Sequence, residues 1–563
     1  MHVFVAIAFL IGMGTVGVSA QLKAPLSPDA EPFSIKLGST FSASPGVSTG
    51  SAQPGTRPSR IAADILEAEA IIARSHINGR NLKPADLMHV AIDGMLGVLD
   101  PHSSFFSAAE WREMLEDQLS GYTGIGATIA NFERGGVIDT FVLSTFPGSP
   151  AARAQLRFGD RVVAINGEKT TGLTSDVVRD KIRGAIGSAF RLTVERAATS
   201  RAETVEIRRN RVAQPSIPDS YILRAGIGYI DLSEGFNYTT ADEFDAAMRN
   251  LKRLGMRSLI LDLRGNPGGI VNQAVRVTER FLPAGTTVVT QRGRARIDNR
   301  VWRSANTAVE TMPLVVLVDE NSASASEIVA GAFQDDDRAM IVGEKTFGKG
   351  LVQSVIDLPG NTGLTLTTSR YLTPSGRSIQ REYAGSELYD YYNHRTSSGI
   401  AKPYFEARTI TDRRVFGGDG IQPDELVKSA EVSSIQAALL DPLFFFAREV
   451  TSGRIAGQEA YRATSYAPGK RVEPGDLSVT DSLYAMFVDF AAKGSKRFDT
   501  NTLRKEAAFI RLRLRYNLAM ASFGITSANQ VLVEDDRQVA KAVETLPRAA
   551  ELARNAAKAR QRK

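Results

Sequence analysis

Ser324 and Lys349 stand 25 residues apart, each in a short stretch whose composition folding alone does not account for. The first stretch, Asn321-Ser322-Ala323-Ser324-Ala325-Ser326-Glu327, follows the apolar run Leu314-Val315-Val316-Leu317-Val318 and precedes Ile328-Val329-Ala330. The second is Gly343-Glu344-Lys345-Thr346-Phe347-Gly348-Lys349-Gly350. A hydroxyl at a strand-to-helix turn and a lysine held between two glycines are the parts of a serine nucleophile with a lysine base. A serine hydroxyl reacts poorly until something takes its proton. A lysine can take it only when neutral, which requires burial or nearby positive charge. Phe347 and Leu351 are candidates for the apolar packing. Taken alone, Ser324-Ala325-Ser326-Glu327 is also a capping box, Ser-x-x-Glu, and most lysines between glycines are solvated. Lys345 is the local competitor and reads as the solvated one. Spacing leaves both readings open.

Acyl-transfer chemistry also needs donors for an oxyanion. A helix starting after Ser324 offers free backbone N–H groups and a positive dipole end, with Ala325 the first candidate. Asp262-Leu263-Arg264-Gly265-Asn266-Pro267-Gly268-Gly269 likewise ends an apolar run before a helix. Gly268 and Gly269 can let a carbonyl approach closely and are candidates for the second donor. This run lacks the G-x-G-x-x-G spacing of a dinucleotide site, and no phosphate-loop lysine follows. Upstream lies Gly121-Tyr122-Thr123-Gly124-Ile125-Gly126-Ala127. Backbone N–H groups in such a loop can bind a peptide's terminal carboxylate while the peptide adds as a strand. Pro147-Gly148-Ser149-Pro150-Ala151-Ala152 and Leu156-Arg157-Phe158-Gly159-Asp160-Arg161 follow in the same domain-sized stretch.

The elements that must position these groups form several domains, because 563 residues are too many for one core. Hydrophobic residues at 43% and charged residues at 23% are ordinary for a globular protein. The net charge of +6 owes much to Arg554, Lys558, Arg560, Arg562 and Lys563, read as a solvated basic helix end. No nucleic-acid partner is expected. With no cysteine there is no disulfide framework, thiolate or Cys-based metal site, and neither metal nor cofactor is expected. The five histidines are scattered and none is near Ser324 in sequence, which weakens a histidine triad without excluding it. Residues 3–18 are apolar or small, and Val18-Ser19-Ala20 before Gln21 suits signal peptidase, although the segment before them has no lysine or arginine. The run is short for a membrane span. The mature chain is therefore expected to be soluble and exported, to the periplasm or cell envelope.

The expected organisation is a signal peptide at 1–20 and a Ser/Pro/Gly-rich linker at 21–58. A helical region at 59–116, a small β-rich domain at 117–210 and a core of alternating strands and helices at 211–430 follow, with parallel pairing in the core. A helical region at 431–563 completes the chain.

These motifs together resemble the carboxy-terminal processing peptidases of the S41 type. The stretch from Gly124-Ile125-Gly126 to Ile165-Asn166-Gly167 is similar to that family's PDZ domain. The segments around Asp262, Ser324 and Lys349 are similar to its oxyanion, nucleophile and lysine motifs. Leu99-Asp100-Pro101-His102-Ser103-Ser104, Tyr371-Leu372-Thr373-Pro374-Ser375-Gly376-Arg377 and Gly420-Ile421-Gln422-Pro423-Asp424 resemble further family segments. The likeness runs from about 60 to 430. Lys345 stands where the family commonly has proline.

The resemblance implies a crotonase-like, ClpP-like α/β protease core with an inserted PDZ domain and flanking helical regions. It implies Ser324 as nucleophile, Lys349 as general base and Gln353 as the group that orients the lysine. Ala325 and one of Gly268 and Gly269 form the oxyanion hole, and Gly124, Ile125 and Gly126 capture the substrate's C-terminal carboxylate. The expected activity is that of an exported serine endopeptidase cutting protein substrates near their C-termini through an acyl-enzyme. An adaptor lipoprotein and homo-oligomerisation through residues 431–563 are possible further partnerships. A PDZ adaptor on an inactive protease fold and a crotonase-like thioester enzyme are the alternatives from other classes. The insertion at 382–408, with Tyr389, Tyr391 and Tyr392, matches no motif.

Overall fold

The computed structural model describes residues 60–117, 121–383, 391–392, 405–495 and 497–562. The signal-peptide and linker segments expected at 1–58, and Tyr389, lie outside the described residues. The chain opens with α1 (Arg60–Ser75) and α2 (Pro84–Gly97), the latter with proline at its first turn, where a missing N–H costs nothing. Ile65, Leu66, Met88, Val90 and Met95 on these helices are exposed. Strand β1 (Ser104–Phe106) and α3 (Ala108–Asp117) follow.

The β-rich domain contains β2 (Gly121–Gly124), β3 (Ala127–Arg134), β4 (Val137–Thr145), α4 (Pro150–Arg153), β5 (Arg161–Ile165), β6 (Glu168–Lys169), α5 (Ser175–Ile182), β7 (Ala189–Glu195), β8 (Ala202–Arg208) and β9 (Asn210–Ala213). Five of these form an antiparallel sheet in the order β3-β4-β5-β7-β8, with β6 on β5, while β2 pairs with β9.

The core alternates as its sequence pattern predicts. It comprises β10 (Asp219–Arg224), β11 (Ile227–Asp231), α6 (Thr240–Arg253), β12 (Ser258–Asp262), α7 (Val271–Glu279), β13 (Thr287–Gly293), β14 (Arg300–Arg303), β15 (Leu314–Val318), α8 (Ala325–Asp335) and β16 (Met340–Gly343). The later strands are β17 (Leu351–Leu358), β18 (Thr362–Leu372), β19 (Phe405–Arg408), β20 (Arg414–Gly417) and β21 (Glu425–Leu426). The main sheet runs β10-β11-β12-β15-β16-β21, parallel from β11 onward. Strands buried on both faces need no polar alternation, which is why β15 reads Leu-Val-Val-Leu-Val. Its Leu314, Val316 and Val318 face the cluster built with α6, α7 and α8. A second sheet, β1-β18-β13-β14 with β17 on β18, brings residues 100–104 alongside the strands that follow Lys349.

Helices α9 (Ser434–Thr451), α10 (Asp481–Gly494), α11 (Thr500–Lys505), α12 (Ala507–Glu534) and α13 (Arg537–Gln561) form the remainder. They close two surfaces that the other domains leave open. Val539, Ala542, Leu546 and Ala549, one stripe of α13, cover the second face of the main sheet against Ile260, Val315, Leu317 and Val342. Phe444 and Phe445 of α9 pack on Phe132, Phe141 and Phe158 of the β-rich domain, with the Phe132 and Phe444 rings stacked at 3.6 Å. Tyr466 donates to the Thr145 carbonyl at 2.8 Å, and Arg448 to the Gly159 carbonyl at 2.7 Å. Gly524, at φ +84°, kinks α12, and a Cβ there would lie 2.9 Å from the Tyr466 hydroxyl. The 431–563 region thus joins the β-rich domain to the core.

Candidate active site

The turn from β15 into α8 places Ser324 at φ +56°, ψ −113°. A serine in this region costs about 1–3 kcal/mol and persists only where its surroundings hold it. The hold comes from two sides. Ala323 N–H donates to the Asn266 carbonyl at 3.0 Å, and the Ser326 hydroxyl donates to the same oxygen at 3.0 Å. The Ser322 hydroxyl donates to the Leu263 carbonyl at 2.8 Å. The serine turn is therefore sewn to the loop after β12.

The second hold is Glu327, fully buried in the first turn of α8. Its Oε2 accepts the backbone N–H of Ser324 at 2.9 Å and of Lys349 at 2.8 Å. Its Oε1 accepts the Thr346 hydroxyl at 2.6 Å and Gly348 N–H at 2.8 Å. One carboxylate thus ties the Ser324 turn to the Lys349 loop. Burial pushes its carboxyl above the usual range, and the four donors pull against that. The capping role expected from the sequence describes one of these bonds; the other partners come from 19 to 22 residues away.

Lys349 is half-buried, and Leu351 beside it is buried. Burial pushes the ammonium down to about 8, while the charges of Glu327 and Asp100 act in the opposite direction. Among the described residues its Nζ has no hydrogen-bond partner. Lys345, read as solvated, instead pairs with Asp419. The Gln353 amide donates to the Thr367 hydroxyl at 3.1 Å. Thr367 in turn donates to Asp100 Oδ1 at 3.0 Å. Asp100 also accepts from the backbone N–H groups of His102 and Ser103, at 2.8 and 2.9 Å.

The glycine pair after Pro267 lies against the serine. Gly268 has φ +103°, and a Cβ there would be 2.7 Å from Ser324 Cβ and 2.9 Å from Ala325 N. Its N–H donates to Asn266 Oδ1 at 2.8 Å. Gly269, at φ +130°, bridges to Phe236. The motif also fastens the C-terminal region: Arg264 binds Asp262, and its other nitrogen reaches Asp536 at 2.6 Å and Gln538 at 2.7 Å.

The Gly124–Ile125–Gly126 loop belongs to another sheet. The Ser149 hydroxyl donates to the Gly126 carbonyl at 3.0 Å and Ala151 N–H to the Ile125 carbonyl at 2.8 Å, which accounts for the Pro-Gly-Ser-Pro-Ala motif. Tyr122 lies on Gly124, and the Arg183 guanidinium is 5.7 Å from the Tyr122 ring centroid. Arg183 also pairs with Glu113. It is a cation beside the loop that motif spacing did not single out.

Sequence reading also missed His102. Its imidazole is 7% exposed, and its Nε2 lies 3.0 Å from the Tyr391 hydroxyl. Burial, with the charges of Lys349 and Arg381, holds it down to about 2. Its side-chain partner is Tyr391, not Ser324.

Residues 226–387 match the model of peptidase family S41, and residues 142–196 that of a PDZ domain. The chain is 36% identical over 299 residues to the carboxy-terminal-processing protease of Bartonella bacilliformis, covering 52% of this chain and 67% of that protein. It is 33% identical over 305 residues to the carboxyl-terminal-processing protease of a Picosynechococcus species, covering 54% and 72%. Among solved structures, a photosystem II D1 C-terminal processing protease aligns at 27% identity and TM-score 0.34, over 64% of this chain and 92% of that one. Both the length and the identity shared with the two bacterial relatives place the α/β core and PDZ domain in one lineage: this chain belongs to the carboxyl-terminal-processing proteases, serine-type peptidases of family S41.

Proposed function

We propose that the protein is an exported serine endopeptidase that cuts protein substrates near their C-termini with Ser324 and Lys349. Ser324 Oγ attacks the scissile carbonyl while Lys349 Nζ takes its proton. The tetrahedral oxyanion is received by Ala325 N–H, at the positive end of α8, and by the glycine turn. Gly268 N–H is already donated to Asn266, which favours Gly269 as the second donor. Collapse breaks the C–N bond, the lysine proton goes to the leaving amine, and an acyl-enzyme remains. Lys349 then deprotonates the water that hydrolyses the ester. The observation that carries this reading is the shared Glu327 oxygen, which holds the backbones of Ser324 and Lys349 to one acceptor. Gln353 acts on the lysine through Thr367 and Asp100.

In the same reading the PDZ loop at Gly124, Ile125 and Gly126 takes the substrate's terminal carboxylate, with Arg183 as the nearby cation. A substrate with a free C-terminus should then be cleaved at least about tenfold faster than its C-terminally amidated twin, the scale of one charge-assisted hydrogen bond. Equal kcat/KM for the two would count against capture by this loop. Export rests on residues 1–20. N-terminal sequencing of the protein recovered from the cell envelope should read from Gln21; an intact Met1 there would remove that part of the reading.

A further inference from the structure

Arg264 stands in the turn that leads from β12 to Gly268 and Gly269, and its guanidinium joins that turn to the joint between α12 and α13. Nε donates to both oxygens of Asp262, at 2.9 and 3.0 Å, which folds the side chain back over the end of β12. Nη1 donates to Asp536 Oδ2 at 2.6 Å and to Gln538 Oε1 at 2.7 Å. Gly265, at φ +72°, donates its N–H to Asp319 Oδ1 at 2.9 Å, and that oxygen also accepts Ser322 N–H at 2.9 Å. The Asn266 carbonyl accepts Ala323 N–H. Three consecutive residues thus bind outward, Arg264 to the C-terminal region and Gly265 and Asn266 to the serine turn.

The joint divides its polar atoms between its own helix and the core. Asp536 Oδ1 caps α13, accepting the N–H groups of Gln538 and Val539 at 2.7 and 3.2 Å. Capping needs only that oxygen, and the other takes Arg264. A helix N-terminus is the positive end of its dipole, so a guanidinium is stable there only with a carboxylate between them. Gln538 is 2% exposed, and its Nε2 donates to the Val427 carbonyl at 2.7 Å. Val427 N–H donates to the Gly343 carbonyl at 2.8 Å, where the segment leading to Lys349 begins. Behind the joint, Val539 and Ala542 are packed against Ile260 and Val315. One point of the C-terminal region therefore grips both segments that the chemistry uses.

We propose that Asp536 and Gln538 are positioning residues that hold the glycine turn through Arg264, which makes the 431–563 region a working part of the active site. That region lies outside both stretches matched by the family models. The inference rests on the oxyanion reading above. Oxyanion donors act through being held in place before the reaction, and a displacement of about 1 Å by a distant change can cost about 10²-fold in rate.

The test is steady-state kinetics on the full chain and its variants. Asp536→Asn keeps an amide oxygen for the cap and removes the carboxylate from Arg264. It should lower kcat about tenfold or more and leave KM nearly unchanged. In an Arg264→Gln background the same change should cost less than about twofold, because its partner is already gone. Gln538→Met should lower kcat in the same direction. Arg560→Gln cuts a different anchor of α13, the bond to the Asp336 carbonyl at 2.8 Å, and should keep kcat within about twofold of the parent. A merely structural role would lower the thermal midpoint without touching kcat at temperatures below it. If Asp536→Asn does not fold, Asp536→Ser retains a cap and carries the same test. Parent kcat in Asp536→Asn, equal losses in the parent and Arg264→Gln backgrounds, or an equal loss in Arg560→Gln would overturn the proposal. A Ser324→Ala enzyme that still cleaves would overturn the serine reading itself, and this one with it. An inactive Ser324→Ala beside a fully active Asp536→Asn would overturn this one alone.

Discussion

Ser324→Ala and Lys349→Ala are each expected to reduce proteolysis by about 10⁴-fold or more, because members of one nucleophile–base unit do not act independently. The double variant should be little worse than either single one. Folding should survive both changes. Replacing Ser324 leaves its backbone N–H on Glu327, and replacing Lys349 removes an amine with no hydrogen-bond partner among the described residues. Circular dichroism and thermal unfolding would check this alongside the cleavage assay. The parent's pH profile separates a lysine base from a serine activated in another way. The active form is the free amine, so the rate should rise about tenfold per unit as pH approaches the lysine's pKa of about 8 and level off above it. Lys349→Arg keeps the charge but cannot deprotonate in the working range, and it should be as inactive as alanine. Substantial activity in Lys349→Arg would remove the general-base role.

Glu327 is the second position with a large expected effect. Glu327→Ala leaves the N–H groups of Ser324, Gly348 and Lys349 and the Thr346 hydroxyl without their acceptor, two of the four bonds fully buried and two part-buried. Each unsatisfied buried donor costs about 1–3 kcal/mol, so a loss of about 4 kcal/mol or more is expected in chemical denaturation. Glu327→Gln is more informative about function. Its volume is unchanged and one oxygen can still serve two donors, but its NH₂ group must then face the other pair. Ser324 would be pushed from its strained geometry, and a displacement of about 1 Å is enough for a loss of about 10²-fold in kcat. The expected result is a folded protein with kcat lowered about 10²–10³-fold and KM nearly unchanged. A fully active Glu327→Gln enzyme would show that the shared carboxylate is not what holds the pair.

Much of the core was readable from local pattern. A parallel strand buried on both faces must be continuously apolar, so β12 and β15 announce themselves, and glycine-rich turns after them mark where a ligand can approach. Helix α5 forms over Ser175–Ile182 because a threonine cap and an amphipathic repeat define it locally. Ser324 and Lys349 could be named as candidates because each carries its context within a few residues. Their being held together could not be read there. Glu327 appeared as a helix cap, since only its nearest partner is local; its bonds to Thr346, Gly348 and Lys349 exist only after β16 has packed beside β15. The partner of Gln353 was hidden for the same reason, being on the neighbouring strand.

Sequence by itself determined residue chemistry, strand and helix periodicity, and the order of the domains. Tertiary structure alone decided which carboxylate joins the serine turn to the lysine loop, and that the 431–563 region covers one sheet and grips the PDZ domain. The physical reason is one of range. Periodicity and capping are properties of neighbours in the chain, whereas burial, desolvation and the choice of hydrogen-bond acceptor are properties of neighbours in space, and these set the charge state of a lysine such as Lys349.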